Sequence, residues 1–320
     1  MRVLLFLVFL AAIGFGAYEW DVWNYSAPGP APRDTVVLIV PGDGVTAISQ
    51  KLAKAGAVQY AQLFGADIRV RGKAGALKAG EYAIPAHASP SDIADILISG
   101  KSIQHKLTAA EGLTSNMIYG LVKNDTALEG DAGLEPAEGT LLPETYLFTH
   151  GTTRAEVITR MERDQEKFLA EHWQMRANGL PFNTPEQALV LASIVEKETA
   201  IPAERRHIAA VFINRLKLGM KLQSDPTIIY GITRGYPLGR RILQSEITRQ
   251  TPYNTYAITG LPPTPICNPG KDAIAAVLDP DVSKDLYFVA DGTGGHVFTD
   301  NIAQHERNVA KWRQIEGTRR

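Results

Sequence analysis

Apolar and polar positions change period along the chain, and each period predicts an element. Residues 3–18 are sixteen consecutive residues without a charge. A helix needs about 20 apolar residues to cross a bilayer. Tyr18, Trp20, Trp23 and Tyr25 follow directly and supply the aromatic belt that would complete a span. Residues 27–32, Ala-Pro-Gly-Pro-Ala-Pro, then form a stiff, extended spacer. Val36-Val37-Leu38-Ile39-Val40 reads as a buried strand stopped by Pro41-Gly42-Asp43-Gly44. Residues 46–55 read as a helix with Ile48 and Leu52 one turn apart and Gly56 as its stop. Residues 61–70 continue helical, and Gly80-Glu81-Tyr82-Ala83-Ile84 is a second strand. Ser89-Pro90-Ser91-Asp92 caps a helix that runs through Ile98 to Gly100. This strand–helix–strand–helix stretch is small enough to be a separate module.

The longer second part is mixed in the same way. Residues 103–108 read as a strand and 112–122 as a helix. Residues 124–138 read as a polar loop, and 139–148 carry strand formers around Pro143. Residues 153–176 have helical spacing with Val157, Met161 and Phe168 as the apolar stripe. Thr184 is an N-cap, Pro185 sits in the first turn, and the helix runs to about Thr199. Its interior, residues 188–195, is apolar on every side and so belongs at a centre. A helix over 203–218 ends at Gly219. Residues 220–270 are rich in turns, polar groups and aromatics, a length of loop that usually serves function. A short helix (272–278), two strands (286–290 and 294–298) and a final helix (301–314) complete an α+β chain. The predicted organisation is an anchor with its cytoplasmic end over 1–25, a linker over 26–33, a small module over 34–102 and a large domain over 103–320.

Composition narrows the possibilities. The 320 residues are 45% apolar and 21% charged, enough for a substantial core. A net charge of −1 gives no electrostatic support for nucleic-acid binding. The single cysteine, Cys267, excludes an internal disulfide and a multi-cysteine metal site and reads as a buried or loop residue. His296, Asp300 and His305 match no short zinc spacing, so no metal is expected. Charge also orients the N-terminus. Arg2 and the amino group precede the apolar run, and Glu19 and Asp21 follow it, which keeps the start in the cytoplasm and sends the rest outside. A cleaved signal peptide is the rival, because Ala12-Ile13-Gly14 and Gly14-Phe15-Gly16 are small-x-small sequences. Either way the bulk of the chain faces an extracytoplasmic space.

Leu191-Ala192-Ser193-Ile194-Val195-Glu196-Lys197-Glu198-Thr199 carries the most informative chemistry. A carboxylate set against apolar helix has a raised pKa and can hold a proton near neutrality. At about 100° per residue, Glu196 shares a face with Ala192 and Ser193, and Glu198 points nearly opposite. The two cannot act together on one atom. Small neighbours leave room for a ligand beside Glu196, which makes it the expected acid. Glu198 is expected to pair with Arg205 or Arg206, or to anchor a loop. Gln223-Ser224-Asp225-Pro226-Thr227 and Tyr253-Asn254-Thr255-Tyr256 offer amides, hydroxyls and flat rings suited to a sugar; Asp-Pro and Asn-Thr are also common turn elements.

These segments resemble, in order, the signature of the membrane-anchored endolytic murein transglycosylases (the MltG or YceG-like family). Residues 191–199 do so, as do Val211-Phe-Ile-Asn-Arg215, Leu222-Gln-Ser-Asp-Pro-Thr227, Tyr253–Tyr256, Gly260-Leu-Pro-Pro263, Tyr287-Phe-Val-Ala-Asp291 and Gly139-Thr-Leu-Leu-Pro-Glu-Thr-Tyr146. The resemblance implies a LysM-like small module, a catalytic domain over 103–320 and a protein of the bacterial inner membrane. Its start would lie in the cytoplasm and its catalytic domain in the periplasm. The implied reaction cuts MurNAc–GlcNAc β-1,4 bonds inside nascent peptidoglycan, without water, and leaves 1,6-anhydro-MurNAc ends. That would terminate glycan strands, beside a peptidoglycan synthase, with no cofactor. The resemblance places the essential glutamate on Glu196, with Gln223, Asp225, Tyr253 and Asn254 as candidate substrate-positioning residues. A non-catalytic peptidoglycan-binding scaffold and a water-using hydrolase are the alternatives.

Overall fold

The computed structural model of the chain describes residues 2–318. The free amino group invoked above lies outside them. Helix α1 (Arg2–Ser26) is followed by β1 (Thr35–Ile39), α2 (Val45–Lys54), α3 (Ala61–Val70), β2 (Gly80–Ile84) and α4 (Pro90–Ser99). Then come β3 (His105–Thr108), α5 (Ser115–Asn124), β4 (Thr145–Phe148), α6 (Arg154–Gln174), α7 (Pro185–Glu198) and α8 (Pro202–Lys217). Helices α9 (Asp225–Thr233), α10 (Gln244–Ile247) and α11 (Lys271–Leu278), strands β5 (Tyr287–Ala290) and β6 (His296–Thr299), and α12 (Ile302–Thr318) complete it. Each sheet among the described residues has two strands, paired β1–β2, β3–β4 and β5–β6. The chain forms two compact units, Met1–His105 with Leu147–Thr152, and Lys106–Tyr146 with Thr153–Arg320.

In the first unit, α1 is long and apolar enough to cross a membrane. β1 and β2 run antiparallel, with Val37 opposite Tyr82 and Ile39 opposite Gly80. The period-2 pattern turns Val37, Ile39, Tyr82 and Ile84 inward. Ile48 and Leu52 of α2, Phe64 and Ile68 of α3, and Ile93 and Leu97 of α4 close over them. Ser89 and Asp92 form the expected capping box, and Gly100 ends α4 in the left-handed conformation. Gly56 separates α2 from a second full helix, so the module is strand–helix–helix–strand–helix, with both strands adjacent in one antiparallel sheet.

In the second unit, α7 is central because its sequence leaves no polar side. Every residue from Ala188 to Val195 is buried. Thr184 accepts a hydrogen bond from the Gln187 N–H and starts the helix. Helices α6, α8, α9 and α11 all pack on it. The helix stops because Thr199 turns extended, its hydroxyl accepts the Ile201 N–H at 3.0 Å, and Pro202 starts α8. The turn-rich reading of residues 220–270 is corrected in part. Pro226 in the first turn and the buried Thr227, Ile228 and Tyr230 make α9 a helix packed on the core. Of residues 139–148, only Thr145–Phe148 pairs as strand.

Leu191 is fully buried in this core. Leu191→Ala is expected to lower stability by about 2–5 kcal/mol, through lost burial and the cavity left behind. Denaturant titration of the purified protein measures this, and a loss below about 1 kcal/mol would place α7 outside the core that sets stability.

Candidate active site

Both carboxylates at the end of α7 lie against protein, but in different surroundings. The face that Glu196 shares with Ala192 and Ser193 is filled by the segment before α11. The Ser193 hydroxyl accepts the Ile266 N–H at 3.0 Å, and the Cys267 thiol donates to the Ser193 carbonyl at 3.3 Å. The small residues therefore make room for the protein's own chain, not for a ligand, which corrects the expectation above. Glu196 Oε2 accepts the Gly270 N–H at 2.9 Å at the start of α11, and Oε1 lies 3.7 Å from Arg205 Nη2. Burial raises its pKa; the Gly270 N–H opposes that and the Glu111 charge reinforces it.

Glu198, at the last position of α7, instead lines a cavity of about 600 Å³. Such a volume falls in the range of small-molecule sites. Arg215 of α8, Leu222, Gln223 and Asp225 form one wall. Tyr256, Phe288 and Val289 of β5, and His305 and Val309 of α12 form the rest. The buried Ser224 hydroxyl donates to Glu198 Oε1. The Glu198 pKa is raised to about 7, mainly by burial; the Ser224 hydrogen bond lowers it and the Asp225 charge raises it further. Asp225 accepts the Tyr256 hydroxyl at 2.7 Å. Arg215 braces the wall, with Nε donating to the Leu286 carbonyl at 2.6 Å and Nη1 to the Leu222 carbonyl at 2.8 Å.

The expected ion pairs of Glu198 with Arg205 or Arg206 do not form. Arg206 binds Asp279 at 2.8 Å and Asp281 at 3.1 Å. Arg205 binds Asp272 at 3.0 Å and Glu111 at 3.5 Å, besides Glu196. The two glutamates do point to different sides of α7, but the arginine lies on the Glu196 side.

The four candidate positioning residues divide evenly. Gln223 and Asp225 reach the cavity. Gln223 is held in the left-handed region (φ 55°), and its N–H donates to the Thr255 carbonyl at 3.1 Å. A non-glycine residue there is uncommon and marks a wall fixed by its surroundings. Tyr253 and Asn254 do not line the cavity. The Tyr253 ring packs on Tyr230 at 4.9 Å and its hydroxyl meets Thr264 at 2.8 Å. Asn254 is buried with its amide committed, donating to the Glu246, Ile247 and Arg249 carbonyls and accepting the Tyr256 N–H. It ties the loop that presents Tyr256. Arg215, Tyr256 and the Ser224–Glu198 contact are not among the site features expected from the sequence. Arg215 and Tyr256 do end motifs quoted above, and that was the available signal.

The sequence profile of the YceG-like family matches residues 37–311. A protein of Bacillus subtilis named endolytic murein transglycosylase is 29% identical over 88% of this chain and 85% of its own length. A protein of the same name from Streptococcus pneumoniae is 31% identical over 97% of this chain, which spans 64% of that relative. The crystal structure of a yceG-like protein from Listeria monocytogenes superposes with a TM-score of 0.54 at 25% identity, covering 86% of this chain and 98% of that one.

The raised pKa of Glu198 has a consequence for stability. The fold binds this proton more tightly than the unfolded chain, whose group titrates near 4.5. The stability it lends is full below about 4.5 and is lost as pH rises through about 7. Glu198→Gln keeps the shape and removes the titration. Its melting temperature is expected to match that of the wild type at low pH and to exceed it on the alkaline side of neutrality. A difference that does not vary with pH would contradict the raised pKa.

Proposed function

The chain belongs to the YceG-like family, and from that membership we propose that it is an endolytic murein transglycosylase cutting MurNAc–GlcNAc β-1,4 bonds within glycan strands. One observation supports Glu198, rather than Glu196, as the acid: its carboxyl faces the cavity with a pKa raised to about 7. Glu196 meets the Gly270 N–H and Arg205 instead.

In the proposed mechanism, protonated Glu198 gives its proton to the glycosidic oxygen as the bond to MurNAc C1 breaks. The carboxylate so formed takes the proton of the MurNAc C6 hydroxyl, whose oxygen closes on C1. The products are a free GlcNAc hydroxyl and a 1,6-anhydro-MurNAc end, and Glu198 regains its proton. No water is consumed. The Asp225 carboxylate, hydrogen-bonded by Tyr256, faces the positive charge that develops at C1, and Gln223 positions the strand. Asp225 also motivates a second reading. A second carboxylate in the same cavity could activate water, as in hydrolysing glycosidases.

The remaining assignments extend the same proposal. Helix α1 acts as a retained anchor in the bacterial inner membrane, with its start in the cytoplasm and the catalytic domain (103–320) in the periplasm. Residues 34–102 are a LysM-like module. The enzyme terminates nascent strands beside a peptidoglycan synthase.

The test uses full-length protein and uncrosslinked glycan strands, with mass spectrometry of the cut ends. Wild type is expected to yield anhydro ends, lighter by one water than reducing ends. Glu198→Gln should lose at least about a hundredfold in rate, and Glu196→Gln should retain activity. Reducing ends would establish the hydrolase, and an inactive Glu196→Gln beside an active Glu198→Gln would return the acid to Glu196.

A further inference from the structure

Arg205 is a buried guanidinium with three carboxylates on it. Its side chain is 10% exposed, and it meets Asp272 at 3.0 Å, Glu111 at 3.5 Å and Glu196 at 3.7 Å. One carboxylate suffices to neutralise one arginine. Asp272 is 71% exposed and does so at little desolvation cost, whereas Glu196 is 7% exposed. Burying a further ionisable group in such a cluster adds little to stability. What Glu196 adds is geometry. It joins the last turn of α7 to the start of α8 through Arg205, and to the start of α11 through the Gly270 N–H. Beside it, Lys197 donates to the Gly112 carbonyl at 3.3 Å, next to Glu111. Gly270 fits this joint closely: a Cβ there would stand 1.9 Å from Glu111 Oε1 and displace that carboxylate. Two residues beyond Glu196, α7 ends at Glu198.

We propose that Glu196 is a positioning residue: its links to Arg205 and Gly270 fix the end of α7 and thereby hold Glu198 in the cavity. The proposal rests on the reading of Glu198 as the acid. The physical logic is leverage. A shift of about 1 Å in a reacting group costs up to about a hundredfold in rate. The last residue of a helix has no following turn to hold it, so its place depends on the residues just before it. Beyond Glu196, the Glu198 carboxyl accepts the Ser224 hydroxyl and feels the charges of Arg215 from α8, Asp225 from α9 and His296 from β6. Loosening the end of α7 would admit water to that set.

The experiment measures kcat, KM and the pH–rate profile of the full-length protein on uncrosslinked glycan strands, with melting curves as the folding control. Glu198 must start protonated, so activity falls on the alkaline side; a better-solvated Glu198 moves that limb to lower pH. Glu196→Ala and Arg205→Ala are each expected to lower kcat about tenfold to a hundredfold. KM should change by less than about twofold, and the alkaline limb should move down by about one pH unit. The double variant should be no worse than either single one, because both break the same link. Glu196→Gln keeps an acceptor for Gly270 and should recover most of kcat. Folded Glu196→Ala and Arg205→Ala with an unmoved limb and unchanged kcat, beside an inactive Glu198→Gln, would overturn the positioning role and leave the acid in place. An active Glu198→Gln would instead overturn the acid assignment itself. Should the alanine variants fail to fold, Arg205→Lys decides: an unmoved limb overturns the proposal, and a limb shifted with kcat supports it.

Discussion

A helix that is apolar all round has to be covered all round, and that constraint organises the larger unit. Residues 188–195 of α7 have no side to turn toward water. The chain therefore wraps α6, α8, α9 and α11 around it. The helix also has to end inside the protein, and its last residues carry two carboxylates. Each carboxylate is forced into low-dielectric surroundings by packing that the apolar run makes necessary. The chemistry of the site follows from how each is accommodated.

The two answers differ. Glu196 is satisfied by a helix-start N–H and a guanidinium, which fixes it. Glu198 is met by one serine hydroxyl and a cavity, which leaves it able to exchange a proton with a bound molecule. An acid that must give and then recover a proton needs the second environment. Arg215, bracing the wall from α8, sets the cavity's shape through backbone carbonyls rather than by pairing with Glu198.

Local signals were legible where local physics decides. Thr184 and Ser89 as N-caps, Gly100 as a left-handed stop and the extent of α7 all follow from capping and periodicity, and the structure agrees with them. The central position of α7 followed from its uniform apolarity. The roles of the two glutamates did not. Helical phase says which residues share a face, but not what covers that face. Here the cover is the Ile266–Gly270 segment, some seventy residues away in sequence, and it closes the space that Ala192 and Ser193 seemed to open. The same limit hid α9, whose β-branched residues become helical through burial against the core. It also left Asn254 indistinguishable from a sugar-binding amide, although its partners are loop carbonyls.

One buried carboxyl at the end of α7, that of Glu198, holds its proton near neutral pH. Carbon-13 labelling of the glutamate side chains, with the Glu198 carboxyl resonance assigned by its absence in Glu198→Gln, allows that group to be titrated directly. A midpoint near 7 is expected from its burial and the adjacent Asp225 charge. A midpoint near the ordinary 4.5 would mean that Glu198 is ionised at neutral pH and is not the proton donor.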